Sequence, residues 1–325
     1  MSHNNNLLDL VIIGAAAAGC AAAVYAARRN LKFVMVAKDV GGEVALSGEV
    51  ENWPGIIHTT GFELAQNFYK HAESYGVTAD IGYSVTGIEK VENYFVVKTE
   101  DYSKKEKNYH TKTVIIASGI HPRELGIPGE KELRGKGVTY CTVCDGPLYR
   151  KKITTTIGAG NAALESALMM SELAEKVYCI TKFPNTPETN GGFPKGENIL
   201  IDKLKQKTNV EIIYHAKTTE ITGAEHVTSI TYTDHTGIAH TIDTNGVMVH
   251  IGNIPNSHFA PIVEKTPIGE IIVDHKCMTS VPGIFAAGDV TTVPYKQIVI
   301  AAGQGVTAAL SAIEHINKWT EQTSV

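Results

Sequence analysis

This sequence predicts an α/β protein with two Rossmann-like, three-layer nucleotide-binding domains, on three observations. A glycine-rich turn follows a short apolar run at Gly14, and a second follows another at Gly158. Each turn opens a helix-patterned stretch that leads to a further apolar run, the order of a βαβ unit. The length of 325 residues suits about two domains.

The elements follow in chain order. Val11-Ile12-Ile13 reads as a buried strand ending at Gly14, followed by an Ala-rich helix to Arg29 and a second strand over Lys32–Val36. A second βαβ unit starts at Ile153 and runs through a helix over Ala162–Leu173 to a strand ending near Thr181. Further buried strands are predicted at Thr113–Ala117, Val247–Ile251 and Gly283–Ala287. Tyr94–Thr99 and His226–Ile242 alternate as antiparallel ribbons do. The two glycine turns lie too far apart for a solenoid repeat, so either a duplicated Rossmann architecture or two unrelated α/β domains would explain them.

Composition narrows the function. Apolar residues make up 43% and charged residues 19%, which fits two buried cores. With a net charge of -5 and scattered basic residues, the chain is expected to bind neither nucleic acid nor an anionic membrane. Lys104, Lys105 and Lys107 read as a solvated loop. The uncharged stretch Leu10–Ala27 is rich in Gly and Ala and is preceded by Asp9 rather than a basic residue. It predicts neither a membrane span nor a signal peptide, so a cytoplasmic protein is expected.

The first turn reads Gly14-Ala15-Ala16-Ala17-Ala18-Gly19. Gly14 would make the tight turn and Gly19 the close helix–strand contact, while Ala16 stands where a middle glycine usually lets backbone approach a diphosphate. A tightly packed Ala-rich helix accounts for the same residues. Asp39 is a candidate acceptor for ribose hydroxyls, beside Lys38. The second turn, Gly158-Ala159-Gly160-Asn161-Ala162-Ala163, is a full G-x-G-x-x-A whose helix start suits a diphosphate. The strand after it ends Thr181-Lys182-Phe183, with neither an acid for a free ribose 2′-hydroxyl nor an arginine cluster for a 2′-phosphate. Lys182 would serve one phosphate, or simply be solvated.

Of the five cysteines, only Cys141 and Cys144 are close in sequence, in Cys141-Thr142-Val143-Cys144-Asp145-Gly146. Two intervening residues let the sulfurs meet across one helical turn, so the pair can cycle between dithiol and disulfide. Asp145 is placed to give or take the proton that exchange requires. A zinc site would need a second ligand pair, which the sequence does not supply, so no metal is expected. Cys20, Cys179 and Cys277 lie in apolar helix or strand patterns and read as small core residues.

With these motifs in view, the chain resembles the low-molecular-weight thioredoxin reductases, and is similar to the C-terminal part of the alkyl hydroperoxide reductase flavoprotein. The resemblance rests on Gly41-Gly42-Glu43, Glu49-Val50-Glu51-Asn52-Trp53-Pro54-Gly55, the Cys141–Gly146 motif, Gly288-Asp289-Val290, and Thr291-Thr292-Val293-Pro294-Tyr295-Lys296-Gln297-Ile298. It implies an FAD domain from both ends of the chain, 1–117 and 248–325, with a pyridine-nucleotide-type domain over 118–247 inserted and carrying the dithiol. It implies that Gly14, Gly19, Gly41, Gly42, Asn52, Gly119 and Gly288 line FAD, that Asp289 holds the ribitol, and that Lys296, Gln297 and Ile298 lie along the flavin. The second turn, through Gly158, Gly160, Asn161, Ala162 and Lys182, would take NADPH. Cys144 would lie nearest the flavin, Cys141 would attack the partner's disulfide, and Asp145 would be the general acid. Hinges are expected near Ser118-Gly119 and Asn245-Gly246.

Three departures from the family pattern bear on function. Glu43 replaces a glutamine, which would put a carboxylate near FAD; Ala16 replaces a glycine; and Thr181-Lys182-Phe183 lacks the family's donor-site residues. The electron donor therefore stays open among NADPH, NADH, ferredoxin and a reduced flavin carrier. The expected activity is FAD-dependent reduction of thioredoxin or a thioredoxin-like protein, by a homodimer. A peroxiredoxin- or glutaredoxin-like carrier is the alternative substrate, and an FAD-binding regulatory protein the alternative class. The first strand already begins by Leu10, so no N-terminal disulfide domain like that of the hydroperoxide reductase flavoprotein is expected.

Overall fold

The computed structural model describes residues 7–47 and 49–319. The outermost positions of the expected first domain, 1–6 and 320–325, lie outside the described residues, as does Gly48.

The chain has an α/β fold that divides into two compact units. Of the described residues, the first comprises 7–47, 53–121 and 254–319. Among the described residues its main sheet has seven strands. Leu8–Ala15 is central, pairing in parallel with Phe33–Val40 on one side and Glu106–Ile116 on the other. Ala79–Ile81 and Ile284–Ala286 extend the parallel part at its two ends. The early half of Glu106–Ile116 instead pairs antiparallel with Tyr94–Asp101, which pairs antiparallel with Tyr83–Val91. One long strand thus serves a parallel core and an antiparallel ribbon.

Period-two burial explains the layers. Leu10 and Ile12 pack on one face with Met35, Ile115 and Phe285, while Val11 and Ile13 pack on the other with Val34, Val36 and Val114. Helices Ala17–Arg28 and Ile298–Asn317 cover the first face, packed closely through small residues. A Cβ on Gly305 would lie 2.1 Å from the Ala18 carbonyl oxygen. Among the described residues, Ile298–Asn317 is the helix long and apolar enough to cross a membrane. Its Gly305, Ala308, Ala309 and Ala312 are buried, as in a helix packed on a core.

Of the described residues, the second unit comprises 49–52 and 122–253. Its parallel sheet runs Val138–Thr139, Gly246–His250, Ile153–Gly158, Lys176–Ile180, Val210–Ile213. An antiparallel sheet of Lys217–Gly223, Val227–Thr233 and Ala239–Asp243 accompanies it. The sequence boundary between 247 and 248 falls inside Gly246–His250, where Met248 and Val249 pair with Thr156 and Ile157. The chain therefore leaves this unit only after Asn253, and enters it after His121 rather than after 117. Asn245-Gly246, expected as a hinge, lies inside the unit: a Cβ on Gly246 would lie 2.7 Å from the Tyr149 ring.

Candidate active site

Cys141 and Cys144 form a disulfide with a Cα–Cα distance of 5.3 Å. Cys141 has extended backbone and caps the short helix Thr142–Asp145, its sulfur accepting the Cys144 N–H at 3.3 Å. The two sulfurs meet because the helix begins between them. Cys141 and Cys144 are half-buried, while Val143, on the outer side of the turn, is 59% exposed.

Two tethers hold this turn. The Thr139 hydroxyl donates to Asp145 Oδ2, while Thr139 Oγ1 accepts the Cys141 N–H at 3.1 Å. Asp145 Oδ1 is buried with no partner. Burial pushes the Asp145 carboxyl above the usual carboxylate range, and the Thr139 bond opposes that shift. On the inner side, Thr142 Oγ1 lies 2.6 Å from Ser166 Oγ and 2.7 Å from His250 Nε2.

The other cysteines take no part. Cys20, Cys179 and Cys277 are buried free thiols, and burial pushes the first two up to about 12 and the third up to about 11. Cys277 departs from the sequence expectation in sitting on a turn, with φ 60°, rather than in a helix or strand. Among the described residues, no group of three or more His, Cys, Asp or Glu could hold a metal ion.

The second glycine turn sits at the end of Ile153–Gly158. Gly158 has φ +152°, and a Cβ there would lie 2.3 Å from the His250 carbonyl oxygen, so glycine is required. Gly160 begins the helix Asn161–Leu173 with no side-chain cap and no acid in its first turn. Asn161 is engaged with Glu197: its amide donates to Oε1 at 2.8 Å, and its Oδ1 accepts the Glu197 N–H at 2.8 Å. Ala162 is exposed, and so is Lys182, whose Nζ lies 5.3 Å from the Phe183 ring centroid.

In the first unit a cradle forms at the parallel strand ends. Gly14 has φ +117°, and a Cβ there would lie 2.3 Å from the Ala117 oxygen; one on Gly19 would lie 1.9 Å from the Gly14 oxygen. Ala16 takes extended backbone that any residue adopts, so the turn forms without the middle glycine. The helix Ala17–Arg28 has no side-chain cap and no acid in its first turn, leaving N–H groups for an anion. Asp39 is exposed near the end of Phe33–Val40, where Val40 pairs with Ala15. The Gly41 N–H donates to the Ala15 oxygen at 2.9 Å, with Gly41 and Gly42 both at positive φ. Glu43 Oε1 lies 2.7 Å from His121 Nδ1.

Asp289 follows the Ile284–Ala286 strand, in the turn Gly288–Val290. Its Oδ1 is buried without a partner, and burial pushes its carboxyl up to about 6; Lys296 opposes the shift and Glu43 adds to it. Lys296 Nζ pairs with Glu270 Oε1 at 2.9 Å and donates to the Thr291 oxygen at 2.7 Å. Gln297 caps the helix that Ile298 begins. The Gly288 N–H donates to Gln304 Oε1 at 2.8 Å, and the Gly119 oxygen accepts the Asn256 N–H at 3.0 Å. A glycine cradle beside an unpartnered acceptor at Asp289 fits the diphosphate and polyol of FAD. Asn52, expected with these residues, belongs to the stretch 48–52 that clusters with the second unit.

Sequence reasoning missed Thr139, Ser166, His250 and Glu270. None stands in a motif, and Thr142 and His250 are 108 positions apart.

The family described as Pyridine nucleotide-disulphide oxidoreductase matches residues 8–305. The F subunit of alkyl hydroperoxide reductase from Staphylococcus aureus (strain NCTC 8325 / PS 47) is 41% identical over 316 residues, 97% of this chain and 60% of that protein. The chain thus spans about 60% of the length of the curated relatives it matches. The solved thioredoxin reductase from Streptococcus pyogenes MGAS5005 is 33% identical with a TM-score of 0.89, covering 97% of this chain and 100% of that one. A Ferredoxin-Flavin Thioredoxin Reductase from Clostridium acetobutylicum is 30% identical with a TM-score of 0.50, covering 96% and 98%.

Proposed function

This chain belongs to the pyridine nucleotide-disulphide oxidoreductase family, as a thioredoxin reductase-like FAD oxidoreductase related to the C-terminal part of the alkyl hydroperoxide reductase flavoprotein, and on that premise we propose that it reduces the disulfide of thioredoxin or a thioredoxin-like protein. The observation that carries this reading is the half-buried Cys141–Cys144 disulfide beside a buried carboxyl raised toward proton donation.

FAD, held by Gly14, Gly19, Gly41, Gly42, Glu43, Gly119, Gly288, Asp289, Lys296, Gln297 and Ile298 with Asp39 at the ribose, would supply the electron pair that opens the Cys141–Cys144 disulfide. Asn52 is the further flavin ligand suggested by the family pattern. Once the pair is reduced, the Cys141 thiolate attacks one sulfur of the partner's disulfide. A mixed disulfide forms and the partner's other sulfur leaves as a thiolate, which Asp145 protonates. Asp145, now a carboxylate, takes the Cys144 proton; the Cys144 thiolate attacks Cys141 Sγ, restoring the Cys141–Cys144 bond and releasing the second partner sulfur as a thiolate that Asp145 protonates in turn. Two electrons leave the dithiol and two thiols appear on the partner.

The leading donor reading is NADPH, bound at Gly158, Gly160, Asn161, Ala162 and Lys182. A second reading is favoured by the exposed lone Lys182, with no arginine beside it, and by the likeness to a ferredoxin-flavin thioredoxin reductase. In it, a ferredoxin or reduced flavin carrier feeds the flavin. A homodimer in the cytoplasm is the assembly and setting we propose.

Anaerobic mixing of the flavin-loaded protein with NADPH, NADH or reduced ferredoxin, followed by turnover with thioredoxin or a peroxiredoxin-like protein, tests both parts. We expect rapid bleaching by one donor and loss of turnover in Cys141→Ser. Full disulfide reduction by Cys141→Ser rejects the mechanism, and no turnover with any donor favours a regulatory flavoprotein.

A further inference from the structure

Thr142, the residue between Cys141 and Val143, is buried and carries a hydroxyl with no role in the exchange chemistry described above. That hydroxyl belongs to a polar chain crossing four elements of the second unit. His250 Nε2, at the end of Gly246–His250, lies 2.7 Å from Thr142 Oγ1. Ser166 Oγ, on the helix Asn161–Leu173, lies 2.6 Å from it on the other side and 3.4 Å from Thr156 Oγ1. A hydroxyl donates one hydrogen and accepts others, so the chain is satisfied with all its hydrogens pointing toward His250 or all away from it.

We propose that His250 is a positioning residue for the dithiol, which through the Thr142 hydroxyl sets the balance between the disulfide and dithiol forms of the Cys141–Cys144 turn. The inference rests on these cysteines being the redox pair.

Opening the disulfide must let the two sulfurs move apart, and Thr142 opens the four-residue helix that carries Cys144 and is capped by Cys141. A hydroxyl held on two sides fixes that residue against the parallel sheet, because His250 is paired in register with Gly158. The anchored arrangement occurs here with the disulfide closed, so releasing it favours the open form. Burial holds the His250 imidazole down at about 4, so the anchor is a neutral hydrogen bond throughout the physiological range. One such bond alters an equilibrium by about three- to tenfold.

The test equilibrates the flavin-loaded protein with graded mixtures of reduced and oxidised dithiothreitol and reads the thiol state of Cys141 and Cys144 by alkylation and mass. Thr142→Val keeps the side-chain shape and removes the hydroxyl, so it probes the same bond if His250→Ala folds poorly. We expect His250→Ala and Thr142→Val each to shift the equilibrium about three- to tenfold toward the dithiol. The double variant should shift it no further than Thr142→Val alone, since that variant already removes the bond to His250. His250→Gln, which returns a polar atom near the Nε2 position, should recover more than half of the shift. Shifts that simply add, or an unchanged equilibrium in Thr142→Val, overturn the assignment to His250 while leaving the disulfide-reductase reading intact. A cysteine pair that does not interconvert in any mixture overturns both.

Discussion

The Thr139 hydroxyl donates to Asp145 Oδ2 from just outside the redox turn, and Thr139 Oγ1 also accepts the Cys141 N–H at 3.1 Å. One threonine therefore joins the first cysteine of the pair to the carboxyl that would protonate the departing thiolate. It is also the interaction that holds the Asp145 pKa down against burial.

Removing that hydroxyl should raise the Asp145 carboxyl further. Thr139→Val also takes away the acceptor of the Cys141 N–H, and loss of that tether is expected to slow disulfide exchange about tenfold. The pH at which activity declines should move upward, because the carboxyl then keeps its proton to higher pH. A pH–rate profile of thioredoxin reduction checks this.

Asp145→Asn separates stability from chemistry. The folded carboxyl titrates above its usual value, so the folded state binds more protons than the unfolded one between those two values. Stability contributed by this group therefore falls as pH rises through that window, and the deficit persists at neutral pH. The asparagine variant should melt at a higher temperature than the parent at pH 7, yet turn over about a hundredfold more slowly. Calorimetry alongside steady-state kinetics reads both.

Asp289 obeys the same sign with a larger shift, from 3.8 to about 6. Without flavin, its burial costs at most about 3 kcal/mol above pH 6, and that cost disappears as pH falls below 4. Asp289→Asn should stabilise the flavin-free protein at pH 7 while weakening flavin retention. Thermal melts with and without added FAD distinguish the two effects.

The glycines of the second turn should behave differently from one another. Gly158→Ala places a methyl 2.3 Å from the His250 oxygen at φ +152°, and is expected to destabilise the second unit by about 3 kcal/mol. Gly160→Ala meets nothing nearer than 3.5 Å and should fold normally. If that turn takes the diphosphate of NADPH, Gly160→Ala raises the KM for NADPH without lowering the melting temperature. A flavin reduced by a protein carrier instead would leave turnover unchanged.

Glu270 shares the Lys296 ammonium with the Thr291 carbonyl. Neutralising it in Glu270→Gln leaves more positive charge near Asp289 and should ease reduction of the bound flavin. A rise in midpoint potential of about 30 mV, a tenfold shift in a two-electron equilibrium, is expected in an anaerobic dye titration.

Local chemistry by itself determined much of this protein. The strand at Val11–Ile13, the helix over 162–173 and the glycine turns were legible because alternation, apolar runs and positive-φ requirements are written within a few residues. The Cys141–Cys144 pair was legible because its ring closes within one helical turn. Tertiary structure decided which sheet each apolar run joins. Val247–Ile251 reads as a buried strand in either unit, and only its ladder to Ile153–Gly158 assigns it to the second, moving the boundary to Asn253. The same is true of polar partners. A histidine at the end of one strand and a threonine 108 residues earlier carry no mark of each other, because side-chain contacts across a parallel sheet depend on register and helix packing. Local periodicity set the elements; sheet register and helix packing brought His250 to Thr142, and the bridge between Ile271 and Thr291 lies beside the pair Glu270 and Lys296.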